Sequence, residues 1–227
     1  MTPHRPDVTE LPTAAPKSGA LRRAGRIAVP TLALLVAAFS ARYFTLDPDT
    51  FLAEQRTVYL AHLAPLLLHV GGGVLALSLG PLQFLPGLRA RRPALHRRTG
   101  RAYVLATAAL GVGGLLIAPH GLHPPLSPLG FALLDVLTLT STALGVHHAR
   151  RGRTAAHRRW MLRSYALIFT AVTFRLWLVL LSSTGLPAAV VYTSGAWASW
   201  ILNLAVAEKL LRGAPAAGPV TVTVREA

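Results

Sequence analysis

Six stretches of this chain are almost wholly apolar, at about 27–45, 57–84, 102–119, 128–148, 162–183 and 188–208, with short polar segments between them. Each is long enough for the roughly 20 residues that cross a hydrocarbon core of about 30 Å as a helix. In that core the backbone finds no water to bond, so such runs must be helical, and their length excludes barrel strands. The pattern predicts an all-α fold, a polytopic transmembrane helical bundle of six spans. Residues 1–25 hold four prolines (Pro3, Pro6, Pro12, Pro16) and read as a disordered tail. A membrane domain over 26–212 and a short second tail over 213–227 complete the expected organisation. The first run sits behind Arg22, Arg23 and Arg26 as a signal peptide would, but it continues past the small residues Ala38–Ala41 and five more runs follow. That favours an uncleaved anchor.

Charge adds orientation. Of 23 Lys and Arg residues, 20 fall in 1–26, 86–101, 150–163 and 208–227, and the connections on the other side hold only Arg56. Short loops rich in Lys and Arg stay in the cytoplasm, so both termini are expected there, in a multi-pass protein of a bacterial plasma membrane. A net charge of +15 invites a nucleic-acid reading. The basic residues cluster at the ends of apolar runs, without an aromatic platform or a reader motif, so anionic lipid headgroups are the expected partner and nucleic acid is not. With no cysteine, thiolate metal sites and iron–sulfur clusters are excluded and histidine is the strong nitrogen ligand that remains.

Two segments resemble each other. His96-Arg97-Arg98 leads to Arg101 and Tyr103, and His157-Arg158-Arg159 leads to Arg163 and Tyr165. Spans 2–3 and 4–5 therefore read as a candidate tandem hairpin repeat related by an axis along the membrane normal. The alternative is that two arginine-rich flanks share their His and Tyr by chance.

Ionisable side chains inside a span are costly and mark function more often than in soluble cores. Counting about 1.5 Å per residue from the cytoplasmic end of each span, Arg42, His69, Asp135 and Arg175 lie roughly 22, 22, 21 and 18 Å in. They form a candidate ligand-binding layer, suited to an anionic headgroup, a carboxylate, a quinone oxygen or a haem propionate. The competing structural reading pairs Asp135 with Arg175 and lets Arg42 snorkel to the headgroups. A second cluster is expected on the cytoplasmic side: Gln83, His96, Arg101, Tyr103, His157, Arg163, Asn203 and Glu208, with Glu208 paired to a neighbouring arginine. No dedicated metal pattern is present; His69, His96 and His157 are weak candidates. Gly71–Gly73 marks a close helix approach.

Gly80-Pro81-Leu82-Gln83-Phe84, Leu95-His96-Arg97 with Gly100-Arg101-Ala102-Tyr103, His157 with Trp160-Met161-Leu162-Arg163-Ser164-Tyr165-Ala166, and Asn203-Leu204-Ala205-Val206-Ala207-Glu208 carry a resemblance. In order, from about residue 60 to 208, they are similar to the predicted-membrane-protein family called domain of unknown function 2306. The resemblance implies a multi-helix membrane protein and no particular activity; whether the chain is an enzyme stays open. His69 and Arg175 fall on positions the family keeps polar, while Asp135 has no place in its pattern. Three functions follow as expectations. The first is binding of a redox cofactor (haem b), a quinone or an anionic lipid within the bundle. The others are a small transporter or channel, and a non-catalytic scaffold or assembly factor.

Overall fold

The computed structural model describes residues 18–213, with side chains from Arg23 onward. Of the tails expected over 1–25 and 213–227, residues 1–17 and 214–227 lie outside the described residues. Between them run nine α-helices: α1 (Ser18–Ala41), α2 (Arg56–Ala61), α3 (Leu63–Gln83), α4 (Pro86–Arg91), α5 (Pro93–Ile117), α6 (Leu126–Arg150), α7 (Thr154–Ile168), α8 (Thr170–Ser182) and α9 (Ala188–Arg212). Grouped with α7 and α8 as one rod, they give six helices long and apolar enough to cross a membrane. The all-α, six-span architecture read from the sequence is the one observed.

Span boundaries shift, with identifiable causes. Helix α1 begins at Ser18, so 18–25 is helical rather than tail; no proline falls between Pro16 and Pro30. The second span starts at Leu63 rather than 57. Pro65 has no N–H for the Ala61 carbonyl, and the chain breaks at His62 between α2 and α3. The third span reaches down to Pro93, which occupies the first helical turn, where a missing N–H costs nothing. His96, Arg97 and Arg98 therefore lie inside α5. The fifth span is interrupted at Phe169, with no proline or glycine at the break.

The two most extensive helix pairings are α3 with α5 and α6 with α7, the two hairpins of the candidate repeat. Glycine makes the first of these possible. A Cβ at Gly72 would fall on the backbone of Leu110 and Ala106, and one at Gly113 would stand 2.5 Å from the His69 nitrogen and 2.6 Å from the Pro65 oxygen. Small residues at the contact let dispersion and close packing hold helices in a solvent as apolar as they are. The core is accordingly lean: Ala33, Ala37, Ala76, Leu77, Tyr103, Ala106, Tyr165, Ile168 and Val172. Large apolar residues point outward instead, with Leu105 72% and Val179 71% exposed. That inversion suits lipid.

Candidate functional site

The sequence layer resolves into three groups. His69 and Asp135 come together across α5. A side chain on Gly114 would collide with the Asp135 carboxyl and stand 2.8 Å from His69 Nδ1, so glycine opens the space both occupy. The His69 Nδ1–H donates to the Leu110 carbonyl at 2.9 Å, a reach across helices that the glycine contact of α3 and α5 permits. Asp135 is 4% exposed and makes no hydrogen bond or ion pair with a described residue. Arg175 is held elsewhere. Its guanidinium donates to the Ala171 carbonyl at 2.8 Å and to Ser40 Oγ of α1 at 3.0 Å.

The expected Asp135–Arg175 pair is therefore not formed. Asp135 faces α5, while Arg175 turns back along its own helix toward α1. Arg42 also departs from the interior. It is exposed, with its guanidinium 3.9 Å over the Phe39 ring, so the stacking is on the rim. Of the four, His69, Asp135 and Arg175 face into the bundle.

Above them sits a polar aromatic lid that the sequence reading did not find. Gln55, 4% exposed, accepts from the Tyr59 hydroxyl, and Tyr192 of α9 approaches the same amide. Tyr43 stacks on Phe51 with ring centroids 5.5 Å apart, and Tyr59 meets Phe51 edge-on at 5.8 Å. Burial pushes the Tyr59 phenol well above its ordinary value, so it stays a donor. Beside it, His62 stacks on His120 at 4.0 Å. Tyr43, Phe51, Gln55 and Tyr59 share one short stretch of sequence, but no spacing joins that stretch to Tyr192 of α9.

The basic-side cluster is bonded almost throughout. Arg163 binds Glu208 through Nε at 2.5 Å and Nη2 at 3.1 Å, the pairing expected for Glu208, and its guanidinium lies 4.6 Å over Trp160. Gln83 donates to Thr99 Oγ1 at 2.7 Å. Tyr103 and Thr142 each share a hydrogen bond with Ser164, at 2.8 and 2.7 Å. His157 Nδ1 donates to the Gly145 carbonyl at 2.8 Å. Asn203, expected in this cluster, stands nearer the middle of its span, where its Oδ1 accepts from Thr173 at 2.9 Å and its Nδ2 has no partner among the described residues. Arg101 is the exception, exposed and outside the cluster. Its counterpart Arg163 is paired, so the two halves of the repeat agree at the buried tyrosines Tyr103 and Tyr165 and differ at the arginines. His96 is half-buried with its Nδ1 unpartnered. Among the described residues no three His, Asp or Glu side chains form a metal-ligand group.

The strings that carried the family resemblance are packed on one another. Gly80 receives the flat of the Tyr165 ring, and Phe84 lies 5.7 Å from the same ring. A family model described as Predicted membrane protein (DUF2306) matches residues 66–211. No curated protein and no solved structure matches the chain.

Proposed function

The chain belongs to the DUF2306 family of predicted membrane proteins, and from that premise we propose that it binds a lipid-soluble quinone or quinol by a ring oxygen at His69 and Asp135. The observation that carries this is Asp135, buried within a span beside His69 and without a hydrogen-bond or ion-pair partner among the described residues. A buried polar group left unbonded costs about 1–3 kcal/mol, so a carboxyl kept there points to a partner that bonds it. His69 supports the same reading. With Nδ1–H committed to Leu110, the neutral ring presents an Nε2 lone pair, an acceptor for a quinol hydroxyl. A carboxyl and an imidazole side by side can also pass a proton to or from that oxygen. The basic loops lie on the cytoplasmic side in this reading, by their excess of arginine.

Extraction of the purified protein, with absorbance and mass spectrometry of what copurifies, tests the proposal. A quinone is expected with the wild type and is lost in His69→Ala and Asp135→Leu. Equal quinone in all three overturns it. The same Nε2 geometry would serve an axial ligand to haem, since a histidine that donates Nδ1–H to a carbonyl is oriented for metal through its other nitrogen. A Soret band that disappears in His69→Ala would favour that reading instead.

A further inference from the structure

A second group of polar atoms, at mid-membrane and on different helices, is left unbonded. Thr170 Oγ1, Asn203 Nδ2 and Trp200 Nε1 are buried side-chain atoms without a hydrogen-bond partner among the described residues. Thr170 is 3% and Trp200 8% exposed. Thr170 opens α8 at the break beside Phe169, in the middle of the 29-residue span Thr154–Ser182, and Trp200 is at the middle of the 25-residue span Ala188–Arg212.

The register sets them along one seam. Arg163 bonds Glu208, Thr173 bonds Asn203 and Trp177 bonds Ser194, so α9 runs antiparallel to α7 and α8. From the Thr173–Asn203 contact, Thr170 lies one turn toward the basic side and Trp200, three positions before Asn203, about one turn the other way, so the donors flank that contact on the α8–α9 seam. The chemistry is one-sided. Asn203 Oδ1 is already occupied by the Thr173 hydroxyl, which leaves the amide N–H groups, the indole N–H and the Thr170 hydroxyl. An indole nitrogen and an amide nitrogen donate only. The nearest charges on these helices are Arg163 and Glu208 toward the basic side, bonded to each other, and Arg175 toward the other. An anion held by uncharged donors at this depth would be expensive, whereas a neutral acceptor is not. In transporter folds, interrupted helices near the midplane are where such sites are built.

We infer that the α7–α8 break and the facing turns of α9 form a mid-membrane site for a neutral lipophilic molecule whose carbonyl oxygen accepts from donors among Asn203 Nδ2, Trp200 Nε1 and the Thr170 hydroxyl. It is separate from the His69–Asp135 layer and stands whether or not that layer binds a quinone.

The test uses the full-length protein in lipid nanodiscs and a long-chain ketone carrying a diazirine next to the carbonyl. The control probe is the same chain with a methylene in place of the carbonyl. Labelling mapped by peptide mass spectrometry should fall on 169–173 and 200–204 with the ketone and not with the control. Asn203→Leu and Trp200→Phe should each reduce that labelling by about tenfold, the loss of one good hydrogen bond. Asp135→Leu should leave it unchanged, which separates this site from the other. Thermal unfolding of the ligand-free protein gives a second readout: Thr170→Val removes an unbonded hydroxyl and should raise the midpoint. Trp200→Phe keeps the ring, so it preserves the test if the larger change at Asn203 prevents folding. Equal labelling by the two probes, or labelling indifferent to both variants, overturns the inference. A midpoint lowered by Thr170→Val does so as well, because it would show the hydroxyl to be a structural contact.

Discussion

The two ends of this bundle use polar residues in opposite ways. On the basic side nearly every one is answered within the chain: Arg163 by Glu208, Gln83 by Thr99, His157 by the Gly145 carbonyl, and Tyr103 and Thr142 by Ser164. Toward the other side Asp135 is answered by nothing described, His69 has one nitrogen uncommitted, and Arg175 is paired with no acid among the described residues. In hydrocarbon a bonded polar group specifies packing, while an unbonded one is a standing cost. The first end therefore holds the fold, and the second is where a ligand would lower the free energy.

The sharpest way to break that contrast is through two glycines. Gly80→Ala drives a Cβ into the Tyr165 ring, which is buried and has nowhere to move. It should destabilise by the upper part of the ~1–3 kcal/mol expected of overpacking. Gly114→Ala meets the Asp135 and His69 side chains instead, so it should cost less stability and more ligand. Thermal unfolding of both, read with the copurified lipid, checks the difference; equal losses of stability would erase it.

Next in size is Ser164→Ala, which strands the Tyr103 hydroxyl and should cost roughly 1–3 kcal/mol in a chemical or thermal melt. Arg163→Leu should cost about 1–2 kcal/mol. That is less than a fully buried pair would lose, because the Glu208 side chain is 34% exposed. At the other end, Asp135→Leu should leave the melt unchanged or raise it while ligand is lost. A clear destabilisation would mean that the carboxyl is part of the scaffold.

The smallest effect is a coupling. Asp135 and Arg175 do not touch, so Asp135→Leu and Arg175→Leu should add to within about 0.5 kcal/mol in a double-mutant cycle. A larger interaction term would restore the pair that the depths alone suggested. Orientation has its own check: reporters fused after residues 50, 123 and 185 should read outside, and after 93, 155 and 215 inside.

How much of this was legible follows from what a helix hides. The six spans are visible as apolar length, and the rise per residue gives each side chain a position along its span. Azimuth was not legible. Asp135 faces α5 and Arg175 faces α1 because of crossing geometry that depends on Gly72, Gly113 and Gly114, whose effect is exerted by atoms they lack. Arg42 shows the same limit: a count along its span does not say that it is exposed and stacked on Phe39. Glu208 was legible because a lone acid among arginines has few alternatives. The lid of Gln55, Tyr59 and Tyr192 was not, since it joins residues more than 130 positions apart. The break at Phe169 left no proline or glycine to read.

The bond from His69 to the Leu110 carbonyl has a practical consequence. An imidazole that changes its proton or its ligand alters how strongly Nδ1–H pulls on that carbonyl, and hence its stretching frequency. Leu110 stands in α5 with its oxygen turned to another helix, so a carbon-13 label there would shift one amide line clear of the rest of the helical band. The backbone thus carries a built-in vibrational gauge of the site. It reads His69 without a dye or a substitution, in the membrane, and before the identity of any ligand is known.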